Sequence, residues 1–364
     1  MRQQWTDEHH MRQALDLALR GLGKTTPNPM VGCVIVKDGE VVGRGWHDHL
    51  GGLHAEAAAL RDAGDKARGA TVYVTLEPCS HQGRQPPCAP ALVKSGVTRC
   101  VCAVGDPNPK VSGRGLKILS DAGVETVCGV LEKEASWLNR GFFSLQTRRR
   151  PWVTLKAALS LDGSMALADG TSRWITGEAA RAGRHSLRGE NDAIVIGSGP
   201  LRHADPALTV RAVEGPSPRP VILCSDAAVL KGNYKALRRD AIVFVPEGTA
   251  VPPERSGRVY AVSSSAGRPD LKAALEKLAE LGLARVLVEA GPTICSAFIA
   301  AGLADEYQLF VAPVFTGEGR KITGSIRLRR MDDAIPMTLR DVRTAGRDLW
   351  LEGGNPCSLD WLKQ

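Results

Sequence analysis

The chain carries the segment Gly51-Gly-Leu-His54-Ala-Glu56, then Thr71-Val-Tyr-Val-Thr-Leu-Glu-Pro-Cys79-Ser-His81, and then Pro86-Pro-Cys88. His54 opens an alanine-rich stretch typical of a helix, and Cys79 follows a run of β-branched residues that predicts a strand. Zinc takes imidazole and thiolate ligands in a tetrahedral shell, and a catalytic site leaves the fourth position to water. We therefore predict that His54, Cys79 and Cys88 bind one zinc ion per chain.

Glu56 lies two residues after the first of these ligands. A His-x-Glu motif alone is common, and so is a cysteine pair in a chain with nine cysteines, but their combination is much rarer. A bound metal lowers the pKa of its water, and in zinc deaminases the Glu beside the His is the general acid/base rather than a ligand. We predict that Glu56 is catalytic and carries a proton from the water to departing ammonia.

The loop between the two cysteines holds His81 and Arg84. Counting His81 as a fourth ligand would close the zinc shell and leave no water to activate. We therefore interpret His81 and Arg84 as substrate-binding residues. Asn28, in Thr26-Pro-Asn-Pro29, offers a donor and an acceptor to a heterocycle edge, but a capped turn explains it equally well.

Composition narrows the class of protein. A length of 364 residues suits two domains, and the net charge is +8 with a pI near 9.1. The chain has no long basic block and is only 5% aromatic, which argues against nucleic acid; a small anionic substrate such as a sugar phosphate, or solubility alone, explains the charge. No apolar run is long enough for a membrane span, and the N-terminus lacks a signal-peptide core. We expect a cytoplasmic protein with reduced cysteines, and a homo-oligomer (dimer or tetramer).

The coarse pattern predicts two α/β domains. In the first half it predicts a helix over 7–22, a hairpin over 31–42 and a helix over 132–147. Arg148-Arg-Arg-Pro151 indicates a solvated linker, which gives domains of 1–148 and 149–364. In the second half we predict a helix capped by Thr176 and reaching Arg188, helices over 271–281 and 293–301, and closing antiparallel strands over 306–314 and 337–351.

Two glycine-rich turns follow predicted buried strands in the second half. Gly197-Ser198-Gly199 follows one strand and Glu289-Ala290-Gly291 ends another. Backbone amides in such turns can bind a phosphate, although a single turn of this kind is more often an ordinary connection. The dinucleotide-binding pattern Gly-x-Gly-x-x-Gly is absent, so a Rossmann fold is not favoured.

Taken together, the motifs resemble the bifunctional deaminase/reductase family of riboflavin biosynthesis over nearly the whole chain. The first half shares Thr26-Pro-Asn-Pro-Met-Val-Gly32, His54-Ala-Glu56, Leu76-Glu-Pro-Cys-Ser-His81, Pro86-Pro-Cys88 and Asp106-Pro-Asn-Pro109. The second half shares Val153-Thr-Leu-Lys156, Ser160-Leu-Asp-Gly163, Ser172-Arg-Trp-Ile-Thr-Gly177, Leu187-Arg188, Asp205-Pro206, Leu208-Thr-Val-Arg211 and Val288-Glu289. The eight-residue gap between the cysteines separates this family from common nucleoside deaminases, whose cysteines lie closer.

The resemblance implies a cytidine-deaminase-like α/β/α sandwich followed by a dihydrofolate-reductase-like α/β domain. The first domain would deaminate a diamino-ribosylaminopyrimidinone phosphate with zinc, and the second would reduce the ribosyl group to ribityl with NADPH. Asp205 would lie near the hydride transfer. The same resemblance implies that the substrate contacts Lys156, Ser172, Arg188, Leu208, Arg211 and Glu289, and that the cofactor contacts Ala158, Trp174, Thr176, Gly197, Ser198 and Gly291.

Three positions depart from the family pattern. The family usually has Gly-Thr at Gly199-Pro200, Gly-Gly at Ala290-Gly291 and two Asp at Ala204-Asp205. Pro200 lacks an amide donor and Ala290 adds a methyl group. The alternative hypothesis is therefore a deaminase whose C-terminal domain is impaired in reduction. A nucleic-acid editing protein is a third alternative, supported only by the zinc motif and the positive charge.

Overall fold

The computed structural model describes residues 2–83, 85–108, 111–225, 227–252 and 257–362. The chain divides into two compact units, Met1–Arg149 and Arg150–Leu362. We call them the N-terminal and C-terminal units. No helix in the described residues is long and apolar enough to cross a membrane.

The N-terminal unit is a five-stranded sheet with helices on both faces. Its helices are α1 (Arg2–Leu19), α2 (Ala55–Ala63), α3 (Cys88–Ser95), α4 (Arg114–Asp121), α5 (Glu132–Leu138) and α6 (Arg140–Arg148), with a 3₁₀ turn at Gly64–Ala67. Its strands are β1 (Gly32–Lys37), β2 (Glu40–Trp46), β3 (Thr71–Val74), β4 (Arg99–Cys102) and β5 (Glu125–Cys128), in the order β2-β1-β3-β4-β5. Strands β3, β4 and β5 are parallel, and β1 is antiparallel to both its neighbours.

Two apolar layers hold this sheet between its helices. One face packs against α2, α3 and α4 through residues such as Ala59, Leu92 and Leu119, and the other packs against α1, α5 and α6. Gly32 allows α1 to approach β1 closely, because a Cβ there would lie 1.9 Å from the carbonyl oxygen of Ala14 in α1. The predicted hairpin is confirmed as β1 and β2, and the predicted first helix begins and ends earlier, as α1.

One predicted helix of the N-terminal unit is wrong. The segment 132–147 forms two helices, α5 and α6, which are separated at Asn139. The Asn139 side chain accepts a hydrogen bond from Met30 N and donates one to Met30 O, both at 2.8 Å. This long-range contact fixes the break, and the local periodicity of the sequence carries no sign of it.

The C-terminal unit is built on a nine-stranded sheet. Its helices are α7 (Glu178–Gly189), α8 (Ser198–Ala204), α9 (Leu271–Glu280), α10 (Pro292–Ala300) and α11 (Pro356–Trp361), with 3₁₀ turns at Ala227–Lys231, Ala236–Arg238 and Met331–Asp333. Its strands are β6 (Trp152–Ser160), β7 (Ser164–Ala166), β8 (Ala193–Gly197), β9 (Arg219–Leu223), β10 (Ile242–Pro246), β11 (Val259–Val262), β12 (Ser264–Ser265), β13 (Arg268–Pro269), β14 (Arg285–Val288), β15 (Glu306–Ala312), β16 (Arg320–Lys321), β17 (Thr338–Ala345) and β18 (Asp348–Gly354).

The sheet order is β11-β10-β9-β8-β14-β6-β15-β18-β17. The first seven strands of this order, from β11 to β15, are all parallel to their neighbours. Strand β18 is antiparallel to β15, and the outermost strand β17 is antiparallel to β18. Helices α9 and α10 cover one face, and α7 and α8 cover the other. Because the carboxyl ends of parallel strands lie at the same edge of the sheet, the turns after β8 and β14 lie at that same edge.

Several predicted details of this unit are wrong. The segment 337–351 is not one strand, since β17 and β18 form a hairpin there. The predicted antiparallel pairing of the closing strands is confirmed, because β15 is antiparallel to β18. Thr176 does not cap α7: the N-cap is Gly177, whose amide donates to Asp348 Oδ2 at 2.6 Å. Arg150 is not a solvated linker residue, because its guanidinium forms two hydrogen bonds of 2.6 and 2.7 Å to the buried Asp305.

Candidate active sites

Three side chains converge at the N-terminus of α2 in the N-terminal unit. His54 is the N-cap residue of α2, Cys88 begins α3, and Cys79 lies in the loop after β3. His54 Nδ1 lies 3.3 Å from Cys88 Sγ and 3.5 Å from Cys79 Sγ, and all three ligand atoms lie within 4.8 Å of one another. Tetrahedral zinc with usual bond lengths requires N–S separations of about 3.5 Å. The donor set and its spacing therefore fit zinc.

The protonation of the cysteines supports this fit. A hydrogen bond from the Cys88 thiol lowers the pKa of Cys79 to about 4, so a thiolate is present at neutral pH. The same hydrogen bond raises the pKa of Cys88 far above its usual range. Ionising Cys88 as well would place two thiolates close together, and a divalent cation would offset their repulsion.

Glu56 lies in the first turn of α2 and is buried, with only 4% of its surface exposed. Burial raises the pKa of Glu56 to about 7, and the negative charge of Cys79 adds to the effect. A carboxyl group that titrates near neutrality can both take up and release a proton, which is what a general acid/base requires.

Asn28 is oriented by His47, a residue that the sequence analysis missed. His47 Nδ1 lies 2.9 Å from Leu53 O, and because a carbonyl only accepts, Nδ1 carries the proton. Nε2 then accepts a hydrogen bond of 3.2 Å from Asn28 Nδ2. The Asn28 oxygen is thereby kept as an acceptor for a ligand, and burial lowers the pKa of His47, which favours this neutral form. The His47 ring lies 5.8 Å from that of His54, so the side chain that holds Asn28 is next to a predicted zinc ligand.

Glu77 is a second residue that sequence reasoning missed. Its buried carboxylate accepts hydrogen bonds from four backbone amides, those of Asp106 (3.2 Å), Gly113 (2.9 Å), Gly115 (2.9 Å) and Leu116 (3.4 Å). It thus fixes the start of α4 and the Asp106 loop to the segment that carries Cys79. The loop residue His81 is exposed, and Arg84 lies outside the described residues.

In the C-terminal unit, three of the predicted substrate residues interact, two by direct contact and the third through its charge. Arg188 on α7 donates to both oxygens of Glu289, from Nε at 2.9 Å and from Nη2 at 3.0 Å, and Nη1 donates to Thr209 O at 3.0 Å. Lys156 on β6 is buried, with its ammonium 5.6 Å from the centre of the Phe310 ring. Burial lowers the pKa of Lys156 to about 8, and the charge of Glu289 opposes that shift.

The remaining predicted substrate residues are more widely distributed. Asp205 is the C-cap of α8, and its carboxylate accepts from Lys235 N at 2.7 Å and lies 3.6 Å from Lys235 Nζ. Leu208 has its side chain in the apolar layer beneath α7 and α8. Arg211 and Ser172 are exposed, and Arg211 N donates to His185 Nδ1 at 3.3 Å.

The predicted cofactor residues lie in one loop and around three strands. Trp174 is 66% exposed in the loop before α7; Arg181 lies 4.8 Å from its ring and donates to Thr176 O at 3.3 Å. Gly197 and Ser198 lie between β8 and α8, Gly291 is the N-cap of α10 after β14, and Ala158 is on β6 opposite Phe310. A crevice at the carboxyl ends of parallel strands is where open α/β sheets bind ligands, so these positions fit a dinucleotide.

The two departures that raised doubt about reduction are accommodated by the fold. Pro200 is the third residue of α8, within the first turn, where backbone amides have no partner inside the helix. Ala290 is buried, and its methyl group contributes to the apolar layer beneath α9 and α10. Both residues therefore fit the fold of the unit.

Comparison with known proteins assigns a class to each half. Residues 4–104 match the family described as the cytidine and deoxycytidylate deaminase zinc-binding region, and residues 151–351 match the RibD C-terminal domain. The riboflavin biosynthesis protein RibD of Aquifex aeolicus is 40% identical to this chain, over 94% of this chain and 97% of the relative's own length. The riboflavin biosynthesis protein RibD of Escherichia coli is also 40% identical, over 95% of this chain and 98% of its own length.

Solved structures agree over both units. RibD of Acinetobacter baumannii superimposes with a TM-score of 0.88 at 39% identity, covering 96% of this chain and 99% of its own. The Thermotoga maritima diaminohydroxyphosphoribosylaminopyrimidine deaminase/5-amino-6-(5-phosphoribosylamino)uracil reductase superimposes with a TM-score of 0.87 at 33% identity, covering 97% and 99%. The chain belongs to the RibD family of bifunctional riboflavin biosynthesis enzymes. It contains both the deaminase and the reductase domain, which fit zinc and NADPH, and the deaminase-only alternative is not favoured.

Proposed function

We propose that this chain catalyses two consecutive reactions on one phosphorylated pyrimidine. The first is hydrolytic deamination of 2,5-diamino-6-ribosylamino-4(3H)-pyrimidinone 5′-phosphate, and the second is reduction of its ribosyl group to ribityl with NADPH. The convergence of His54, Cys79 and Cys88 beside the buried Glu56 is the observation that carries the proposal. The similarity of the C-terminal unit to the RibD reductase domain supports the second step.

For deamination, the residues have separable roles. Zinc, when bound by His54, Cys79 and Cys88, supplies a water of lowered pKa as the nucleophile. Glu56 takes a proton from that water and delivers it to the leaving amine, so that ammonia departs and a carbonyl remains. Asn28, held by His47, offers its oxygen to an N–H of the pyrimidine ring.

For reduction, NADPH would supply a hydride to the carbon of the ring-opened ribosyl group that becomes CH₂, and a proton from the solvent would complete the reduction. The Lys156–Arg188–Glu289 group binds the substrate, since its cations suit a phosphorylated sugar and Glu289 can accept a hydrogen bond from a sugar hydroxyl. Asp205 is kept as the residue nearest the hydride transfer on the family resemblance alone. Its hydrogen bond to the amide of Lys235 would fix its carboxylate in place.

A paired assay on the purified protein tests both steps. Ammonia release and NADPH oxidation are followed together after adding the diaminopyrimidine ribosylamino phosphate. Equal amounts of the two products are expected. Ammonia without NADPH oxidation contradicts the reductase step, and NADPH oxidation that begins only when already deaminated substrate is supplied contradicts the deaminase step.

We also propose a homo-oligomeric assembly of this chain. Strand β17 is the outer strand of its sheet, and all of its residues except Ala345 are exposed, including the apolar Leu339 and Val342. Open edge strands with apolar side chains tend to pair with another chain. Sedimentation analysis is expected to give a mass of two or four chains, and a monomer at micromolar concentration contradicts the assignment.

A further inference from the structure

Two cysteine side chains lie next to each other at one edge of the N-terminal sheet. Cys102 is the last residue of β4 and Cys128 is the last residue of β5, and the two are register partners in the parallel pairing of these strands. Partners on neighbouring strands point to the same face, and such strands lie about 4.8 Å apart. Disulfides join cysteines whose Cα atoms are about 4.4–6.8 Å apart, so this pair can be cross-linked at the spacing that the sheet already has.

The two thiols differ in their access to solvent. Cys102 is fully buried, in the apolar layer beneath α2, α3 and α4. Cys128 is exposed on β5, which is the outermost strand at its end of the sheet. A reagent in solution therefore reaches Cys128 directly, whereas Cys102 reacts only with a group that Cys128 has already taken up.

A hydrogen bond between the thiols prepares Cys128 for reaction. The Cys102 thiol donates to the Cys128 sulfur, and this lowers the pKa of Cys128, although burial and the charges of Glu132 and Glu77 oppose the shift. The same hydrogen bond, together with burial, raises the pKa of Cys102 far above its usual range. The thiolate is the nucleophile in thiol chemistry, so Cys128 is the member of the pair that attacks first.

The pair is separate from the other cysteines of the chain. Cys79 and Cys88 are the predicted zinc ligands, and Cys357 is exposed on α11 in the C-terminal unit. The four cysteines that remain are all buried, namely Cys33, Cys100, Cys224 and Cys295. Chemistry at Cys128 is therefore independent of the zinc centre, and Cys357 offers an exposed cysteine for comparison.

We propose that Cys128 and Cys102 form a dithiol modification site that reacts with small-molecule disulfides. The Cys128 thiolate attacks one sulfur of the reagent, whose S–S bond breaks; a mixed disulfide forms, and one thiolate leaves and takes up a proton. Cys102 then loses its proton and attacks the Cys128 sulfur, which displaces the second thiol of the reagent. Two protein thiols are thus oxidised to one disulfide, and the reagent is reduced to two thiols. Exposed disulfides are labile, so an excess of thiol reverses the reaction.

Peptide mapping of the whole, zinc-loaded protein tests the proposal, since zinc then occupies Cys79 and Cys88. The protein is incubated with oxidised glutathione, the remaining thiols are alkylated, and mass spectrometry identifies what each cysteine carries. Cys102→Ser keeps a hydroxyl that can donate to Cys128 but cannot form the second bond. Cys102→Ala removes the donor as well, and Cys357 is the exposed comparison within the same molecule.

The wild type is expected to form a Cys102–Cys128 disulfide, and excess dithiothreitol should restore both thiols. Cys102→Ser should stop at the mixed disulfide on Cys128. Cys102→Ala should form that mixed disulfide roughly three- to tenfold more slowly than Cys102→Ser, because the hydrogen bond that favours the thiolate is lost. Glutathione should be found on Cys357 later than on Cys128.

Two results would overturn the dithiol site. One is a wild-type protein in which Cys128 stays unmodified or reacts no faster than Cys357. The other is a mixed disulfide on wild-type Cys128 that persists without a bond to Cys102, which would make Cys128 an ordinary surface thiol. Both results are read from the wild type, so they decide the question even if a substitution at the buried Cys102 prevents folding.

Discussion

Replacing Glu77 by Gln should destabilise the N-terminal unit and release zinc, although Glu77 touches neither metal ligand nor substrate. The carboxylate accepts four backbone amides, two on each oxygen. The amide group of Gln can keep one pair, here Gly115 and Leu116, but turns an NH₂ group toward the amides of Asp106 and Gly113. Each buried donor left without an acceptor costs about 1–3 kcal/mol, so we expect a loss of about 3 kcal/mol.

For a unit of this size, that loss lowers the midpoint of thermal inactivation by roughly 10 °C. Zinc affinity should fall about ten- to hundredfold, because Cys79 is two residues from Glu77. The assay heats the protein and then measures ammonia release, with reduction of already deaminated substrate as the internal control. Glu125→Gln is the matched variant, since Glu125 is an exposed partner of Arg99 and should change stability by less than about 0.5 kcal/mol. Inactivation of Glu77→Gln within about 2 °C of the wild type, with full zinc content, would refute the reasoning.

Three further predictions concern the two active sites. Glu56→Gln should keep zinc and the fold but slow ammonia release by about 10²–10⁴-fold, because an amide cannot carry the proton; near wild-type turnover excludes Glu56 as the carrier. Cys79→Ala should lose the metal, whereas the control Cys357→Ala, at an exposed cysteine, should retain it. Metal analysis measures the zinc content of both variants, and full zinc occupancy in Cys79→Ala contradicts the ligand assignment. Because the pKa of Lys156 is lowered to about 8, its ammonium loses its proton as the pH rises through that value, and kcat/KM for reduction should fall there. The arginine in Lys156→Arg stays charged, so this variant should not show the fall. A pH profile identical to that of the wild type would show that Lys156 is not the group that causes the fall.

The sequence was least informative where the role of a residue depends on contacts with distant segments of the chain. His47 acts through contacts with Leu53 and Asn28, and Glu77 acts through hydrogen bonds to backbone amides between residues 106 and 116. The residues next to His47 and Glu77 in the sequence give no sign of these contacts. The concern over Pro200 and Ala290 arose for the same reason, because the sequence could not show that one is in a first helical turn and the other in a core.

The sequence by itself predicted His54, Cys79 and Cys88 as zinc ligands and Glu56 as the catalytic carboxylate, and it determined the α/β class of both halves. Those features depend on residue chemistry at short spacing and on local periodicity, which the chain carries from one residue to the next. Only the tertiary structure decided how α5 and α6 separate at Asn139, that Arg150 pairs with Asp305, and that Arg188 pairs with Glu289. Each of these joins residues far apart in the chain, so its energy depends on distances that exist only after folding.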